Sequence, residues 1–584
     1  MGKTRVFNLD KVVEEFEEVT KNAAQVQRET LRKILEQNGE VEYLRNFDLN
    51  GRTDPESFKS CVPLVTHADL EPYFQRIVDG DTSKILTEKP VTALSLSSGT
   101  THGKSKLIPF NEEMLRSTMQ IYRTSFAFIN REYPVNDGKA LQFIYASKQS
   151  ITKGGLIATT GTTNIYRSRQ FKNTMQDIHS QCCSPDEVIF CVDYNQSVYC
   201  HLLCGLIYSQ EVQIISSAFA FSIVHALRTF EQVWEEICAD IREGILSNKI
   251  TIPSLREAVS KILTPNRNLA DTIYRKCMSL SNWCNMIPEL WPNAKYVYGI
   301  MTGSMEPYAR KLQRYAGSLP VLSAYYGASE GWIGANVNPR LKLESVAYAV
   351  FPNISYFEFL PRRENRNEQE LDNVDSKFHR ELDPVGLTEV EIGCLYEVII
   401  TNFAGLYRYK LGDIVKVVSF HNSTPELQFI CRRNNLLSIN IDKNTENDIQ
   451  MAINEASRLL ALHKLEIVDF TTHADSSSDP GHYVIFLELS SDASEDVLNS
   501  CSSCLDLAFV ERAYVLSRRN NIVGPLELRV VCRGTFHKIL EYYADIGTTM
   551  SQFKMPRCVG SSNDKLLKIL CRNVVRSYFS TAYG

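Results

Sequence analysis

Short apolar, β-prone runs that end in glycine-bearing turns and alternate with helical patterns constrain this chain most. Tyr296-Val-Tyr-Gly-Ile-Met301 and Leu319 to Tyr326 are such runs, and Leu141–Ala146, Glu187–Val192 and Val212–Ile215 are further strand candidates. Apolar spacing predicts helices over Ala220–Ala239, over 111–132 behind the cap Asn111, and in one piece from Lys11 to Gln37 behind Asp10. Strands alternating with helices predict an α/β fold. At 584 residues the chain exceeds a single core. The turn-like Asn422-Ser-Thr-Pro425 marks the boundary, giving a large N-terminal α/β domain, residues 1–425, and a small mobile α+β domain, residues 426–584. Residues 362–381, dense in charge and Asn, read as an exposed insertion.

An apolar lead at Val91, Ala93 and Leu94 runs into Ser95-Leu-Ser-Ser-Gly-Thr-Thr-His-Gly-Lys-Ser-Lys-Leu-Ile-Pro-Phe110. Hydroxyls and backbone N–H groups around Gly99 and Gly103, with Lys104 and Lys106, make an anion cradle. The loop is not a P-loop. Three residues, not four, separate the glycines, and Pro109 interrupts any helix that would follow. An ordinary Ser/Gly-rich hairpin has the same composition.

Further motifs follow. Tyr325-Tyr-Gly-Ala-Ser-Glu-Gly-Trp332 places Ser329 and Glu330 at a strand end, where α/β folds bind ligands. A carboxylate there can hold Mg²⁺ beside a phosphate. Thr401-Asn-Phe-Ala-Gly-Leu-Tyr-Arg-Tyr-Lys-Leu-Gly-Asp413 offers a carboxylate for ribose hydroxyls, with Arg408 as a candidate catalytic cation. Ile430-Cys-Arg-Arg433 and Met555-Pro-Arg-Cys-Val-Gly to Leu570 supply basic residues at the boundary and near the C-terminus. Each of these, taken alone, is equally a surface turn or solvated charge.

Composition excludes other classes. Net charge −5 and pI about 6.2 carry no footprint for nucleic acid. The apolar window Ile214–Leu227 is too short to span a bilayer. Met1–Val6 leads into polar sequence without an apolar signal region, and Val6 spoils a myristoylation motif, so a cytoplasmic protein is expected, with no membrane partner. The 16 cysteines read as reduced thiols, including the lone Cys501-Ser-Ser-Cys504 and Cys200-His201.

In order, the motifs are a Ser/Thr/Gly phosphate loop, Y-G-x-S-E, Y-x-x-G-D, an Arg-rich hinge and a terminal Pro…Lys. This series resembles the adenylate-forming (luciferase-like) superfamily. The wording of Leu94–Thr100, Tyr326–Trp332, Tyr407–Asp413 and Phe553-Lys-Met-Pro-Arg557 is similar to the plant acyl acid amido synthetases, most of all their jasmonate branch. The resemblance implies ATP and Mg²⁺ as cofactors. It places Ser95, Ser98, Gly99 and Thr100 around the phosphates, and Leu115 and Thr118 between nucleotide and acyl group. Gly327, Ala328, Ser329, Glu330, Gly331 and Trp332 would line the nucleotide, with Glu330 on the metal. Asp413 would hold ribose, and Lys565 would be the mobile catalytic lysine. Thr118, Ser216, Ala218, Ala324 and Trp332 would face the acyl acid, and Thr162, Thr163, Asn164 and Lys538 the amino acid.

The implied reaction is ATP-dependent conjugation of an acyl acid hormone, jasmonate first, to an amino acid such as isoleucine, by a monomer. Auxin- or benzoate-type acids, an acyl-CoA ligase, and a catalytically silent binding protein are the alternatives. Ser216 and Ala218 stand where bulkier residues are usual in the resembled branch, and Ala324 and Tyr325 where some of its members carry His and Asp. These four positions bear on the acyl acid rather than on adenylation.

Overall fold

The computed structural model describes residues 8–101, 104–136, 138–177, 180–362, 383–432, 436–439, 442, 444–546, 553–560 and 563–583, with side chains except at 97–105, 175–181 and 436. The expected insertion at 362–381 therefore lies almost wholly outside the described residues. The chain forms two compact units. Residues up to Leu411 with Val415–Phe429 make the first, and Gly412–Ile414 with the described residues from Ile430 onward make the second. The expected boundary at 425/426 falls just before the second crossing. The chain passes between units within two strands, Tyr409–His421 and Thr424–Arg432.

The first unit holds three sheets. A five-stranded parallel sheet runs in the order Ser180–Cys182, Gly138–Gln142, Val212–Phe219, Tyr296–Ile300, Val321–Ser323. Parallel sheets need both faces covered. The helices Tyr194–Ile207 and Ala220–Glu243 pack against this sheet and against each other, the first with every residue from Ser197 to Leu206 buried. A four-stranded sheet pairs the hairpin Ala93–Thr101/Lys104–Phe110 with Ile157–Thr160 and Ser150–Ile151. An eight-stranded sheet begins at Tyr325–Ala328 and Gly331–Ala335 and includes Leu395–Thr401 and Tyr409–His421. The second unit is a mixed sheet, Ile467–Asp475, His482–Leu489, Glu527–Val531 and Val574–Phe579, with its own core including Ile453, Tyr483, Leu505 and Leu528.

Three local expectations are corrected. The N-terminal helix is two helices, Leu9–Lys21 and Ala23–Asn38, and its cap is Asn8 rather than Asp10. The break at Asn22 is made by the turn at 422–423. Ser423 Oγ accepts from Ala23 N (3.2 Å) and donates to the Thr20 carbonyl (2.6 Å), while Asn422 Nδ2 donates to Thr20 Oγ1 (2.9 Å). The strand expected at Glu187–Val192 is a helix turn, Asp186–Ile189, started by Pro185 with acids in its first turn; short apolar runs carry no period to tell the two apart. The strand expected over 141–146 ends at Gln142. Beyond it, side chains take the carbonyls: Ser217 Oγ donates to Phe143 O (2.7 Å), and His201 Nε2 lies 2.9 Å from Ile144 O.

All sixteen cysteines are free thiols, and burial pushes Cys501 up to about 12. His201 is a core residue between Ser184 Oγ and the Ile144 carbonyl, and burial pushes it down to about 4. Among the described residues no helix is long and apolar enough to cross a membrane.

Candidate active site

The site is built on the hairpin Tyr325–Ala328/Gly331–Ala335. Its register shifts between Tyr326 and Gly327, so that Gly327 faces Trp332 and Ala328 faces Gly331. A Cβ on Gly327 would sit 2.4 Å from the Trp332 ring, so glycine here lets the indole lie across the strand. Trp332 Nε1 donates to Thr118 Oγ1 (2.7 Å), which itself donates to the Met114 carbonyl (2.7 Å). That fixes the indole against the helix Glu112–Glu132, which starts at the expected cap Asn111. Tyr122 from the same helix stacks on Tyr325 at 5.0 Å and meets Trp332 edge-on at 5.5 Å. Leu115 packs with this group.

Glu330 at the hairpin tip is 4% exposed. Its backbone carbonyl accepts from Asn402 Nδ2 (2.8 Å) and its Oε1 from Tyr409 OH (3.2 Å). Its Oε2 is buried with no hydrogen-bond partner. Asn402 also caps its own turn, accepting from Ala404 N (2.9 Å) and Leu406 N (3.2 Å). A buried carboxylate oxygen without a donor needs a partner that the polypeptide does not supply. A hard cation fits it. Among the described residues no group of three or more His, Cys, Asp or Glu could hold a metal ion alone. That suits Mg²⁺, which binds through one or two carboxylates together with substrate phosphates.

Arg408 is corrected. It is 5% exposed, and its guanidinium is committed to the fold. Nε and Nη2 meet Glu358, Oε1 at 2.8 Å from Nη2, and Nη1 donates to the Lys59 and Val62 carbonyls, both at 2.7 Å. These contacts hold Arg408 at φ 47°, a left-handed conformation unusual outside glycine. It sets the backbone immediately before Tyr409, whose hydroxyl donates to Glu330 Oε1.

The remaining expected residues fall as follows. Ser95 is 1% exposed with an unpartnered Oγ. Ser98, Gly99 and Thr100 lie on the strand Ala93–Thr101, their side chains outside the described residues. The loop is thus a β-hairpin that opens between Leu96 and Thr100, where the register shifts. Thr163 is fully buried and its hydroxyl is taken up by Ser147 N (2.9 Å), Ser147 Oγ (3.0 Å) and Thr160 Oγ1 (2.9 Å). These bonds tie the first turn of the helix Gly161–Arg167 to Ser147. Thr162 is half-buried beside it, and Asn164 Nδ2 is buried without a partner.

Ser216 and Ala324 are buried, Ala218 half-buried. The Ser216 hydroxyl lies beside the phenol of Tyr298, as does Gln142. Burial pushes Tyr122, Tyr166, Tyr298 and Tyr325 up, so all four phenols stay protonated.

In the second unit, Asp413 is 2% exposed and accepts from Arg432 Nε (2.8 Å). Lys565 is exposed in the first turn of Asp564–Arg572, and Lys538 donates from the surface to Asn573 Oδ1 (2.9 Å). Sequence reading missed Asn402, Tyr409, Tyr122, Tyr298 and His67. The first two lie inside the motif that ends at Asp413; the others have no motif of their own.

Residues 12–321 match the GH3 family N-terminal domain, 348–432 its central domain and 447–563 its C-terminal domain. The chain belongs to the GH3 family. It is 63% identical to a jasmonoyl–L-amino acid synthetase of Oryza sativa subsp. japonica, over 99% of this chain and 100% of that protein. It is 62% identical to another, JAR6 of Nicotiana attenuata, over 99% and 98%. An indole-3-acetic acid-amido synthetase of Arabidopsis thaliana, GH3.10, is 48% identical over 98% of each. The solved structure of the GH3.15 acyl acid amido synthetase with 2,4-DB shares the fold at a TM-score of 0.88 and 35% identity, covering 100% of this chain and 99% of that one.

Proposed function

We propose that this GH3 protein joins jasmonate to an amino acid such as isoleucine, through an acyl-adenylate. The observation that carries the chemistry is Glu330. Its unpartnered, buried Oε2 sits one turn from Trp332, so a cation site and an aromatic acyl wall share one hairpin. The printed names of the relatives above favour jasmonate over auxin-type acids.

In the first half-reaction the acid's carboxylate attacks the α-phosphate of ATP, and pyrophosphate leaves. In the second, the amino acid's amine attacks the acyl carbon, loses a proton, and AMP leaves. ATP supplies the activation, so no enzyme nucleophile is required. Mg²⁺, carried with the nucleotide, would supply charge neutralisation on the phosphates, and Glu330 is the residue to hold it. Ser95, Ser98, Gly99 and Thr100 cradle phosphate, Asp413 holds ribose, and Lys565 supplies positive charge to the reacting phosphate. Thr118, Trp332, Tyr122 and Tyr325 wall the acyl acid, with Ser216, Ala218 and Ala324 leaving room at its inner end. Asn164, with its free amide donor, and Thr162 face the amino acid, assisted by Lys538. The protein acts by placing the reactants together and by fixed charge, in the cytoplasm, as a monomer.

The test is pyrophosphate release from ATP with a panel of acyl acids and all twenty amino acids, followed by product analysis. AMP and an amide are expected, with jasmonate the best acid. ADP as product, or activity with coenzyme A in place of the amino acid, would overturn the reading.

A further inference from the structure

His67 opens the helix His67–Asp79, behind the cap Thr66, whose backbone N and hydroxyl both bind Asp69 Oδ2 at 2.7 Å. Its ring packs on Phe74 at 5.3 Å and is 7% exposed. No side chain reaches either ring nitrogen; the Leu107 backbone carbonyl lies close enough to one of them to act as a weak acceptor, and the other is buried with nothing to meet it. Buried polar groups are paired in folded proteins, and one left without a partner calls for a reason. A histidine with a nitrogen unmet forfeits a hydrogen bond where phenylalanine would forfeit none.

The fold brings this ring to Glu330. Val65 N donates to the Arg408 carbonyl (3.1 Å) and Lys410 N to the Val65 carbonyl (2.8 Å), so the segment before His67 straddles Tyr409. Tyr409 OH in turn donates to Glu330 Oε1 (3.2 Å). The charged neighbours facing His67 are the half-buried Lys106 from the hairpin strand Lys104–Phe110, Glu330, and Glu71 on its own helix. His67 and Glu330, each with a buried polar atom lacking a side-chain partner, are thus linked through the Val65 backbone and Tyr409, and the ring lies within the electrostatic reach of both Glu330 and Lys106. A donor, a cation and a carboxylate that can hold a metal ion suit a phosphate oxygen and its counterion. Imidazolium donates from both nitrogens, and neutral imidazole donates from the one nitrogen that carries its proton.

We propose that His67 donates a hydrogen bond to a phosphate oxygen of the nucleotide held beside Glu330. This rests on the nucleotide reading above and adds a contact that neither the motifs nor the family resemblance assigns.

The experiment uses the full chain without acyl acid, so that no turnover occurs. Calorimetry gives the dissociation constants of MgATP and of adenosine for the unmodified protein, His67→Phe and His67→Gln, with the melting temperature of each as a check on folding; His67→Leu replaces the Phe variant if that one does not fold. Removing the donor is expected to weaken MgATP by roughly tenfold or more, the size of a hydrogen bond to a charged group. Adenosine binding stays as it was, and His67→Gln, which keeps an N–H, recovers most of the loss. Equal weakening of MgATP and adenosine, a change in MgATP affinity under twofold, or a Gln variant no better than Phe would each overturn the proposal. Failure of the unmodified protein to bind MgATP would instead remove the nucleotide reading itself, and this inference with it.

Discussion

Two turns in the first unit, one ending at Glu330 and one at Arg408, place a buried charge in similar surroundings and use it in opposite ways. Arg408 spends its donors on Glu358 and on two backbone carbonyls. Glu330 receives one hydrogen bond on Oε1 and leaves Oε2 with none. A buried charge that is fully paired stabilises a conformation. One left partly unpaired has capacity for a ligand. Both residues sit in motifs that read alike from sequence, so pairing, rather than burial or charge, separates scaffold from site.

The sharpest way to break the comparison is to remove Arg408. Arg408→Met strands the Glu358 carboxylate, which is 0% exposed, and releases the φ 47° backbone. Loss of one partner of a buried pair costs about 3–5 kcal/mol. Urea unfolding should show that loss, with any protein that remains folded still able to adenylate. A variant as stable as the parent but inactive would return Arg408 to the catalytic group.

Glu330→Gln tests the other turn. It keeps the size and the acceptor for Tyr409 while removing the charge. Adenylation should fall roughly 10²–10³-fold, as for loss of one strong electrostatic contact, with unfolding unchanged. Full turnover at saturating ATP and Mg²⁺ would sink the assigned role.

These two residues also show how far the sequence could be read. Hydrophobic spacing was enough for the parallel strands at Val212 and Tyr296 and for the helix behind Asn111, because each is a local pattern. The break at Asn22 was not legible, since the groups that make it, Asn422 and Ser423, lie four hundred residues away in the chain. The motif around Tyr407–Asp413 identified the right segment but not which of its charges is free, because Glu358 and the Lys59 and Val62 carbonyls are distant in sequence. His67 had no signal at all: an unpaired buried nitrogen is a property of the fold. Ser216 and Ala218, standing where bulkier residues are usual in the resembled branch, and Ala324 leave room by their size alone. Tyr325, a further departure, proves to stack on Tyr122 next to Trp332 and occupies part of the adjoining space.

Lys565 sharpens the comparison differently, because it is an exposed charge with no ion-pair partner among the described residues. Its effect should be confined to one step. Lys565→Ala is expected to slow adenylate formation by about 10²-fold, the lower end for a single electrostatic donor, and to spare aminolysis of a preformed adenylate, since the charge it meets develops on phosphate. Equal losses in the two half-reactions, measured separately by pyrophosphate release and by amide formation from synthetic adenylate, would contradict this.

The smallest effect is expected at the acyl wall, where the comparison turns from charge to shape. Ser216 is buried beside the Tyr298 phenol, and Ala324 and the half-buried Ala218 add no bulk. Space left unfilled against a ligand forfeits dispersion contacts, so the parent should accept acids bulkier than jasmonate or hydroxylated on its ring. Ser216→Phe would fill that space and remove a hydroxyl, raising the preference for jasmonate. Differences of a methylene or two in such a pocket are worth about 1–3 kcal/mol. Because Tyr325 already occupies adjoining space, the lower end of that range, roughly tenfold in kcat/KM ratio, is expected. The measurement is kcat/KM for a panel of cyclic and aromatic acids on both proteins. If the parent already rejects everything larger than jasmonate, or if Ser216→Phe leaves every ratio as it was, Tyr122, Tyr325 and Trp332 set the pocket and the small residues do not.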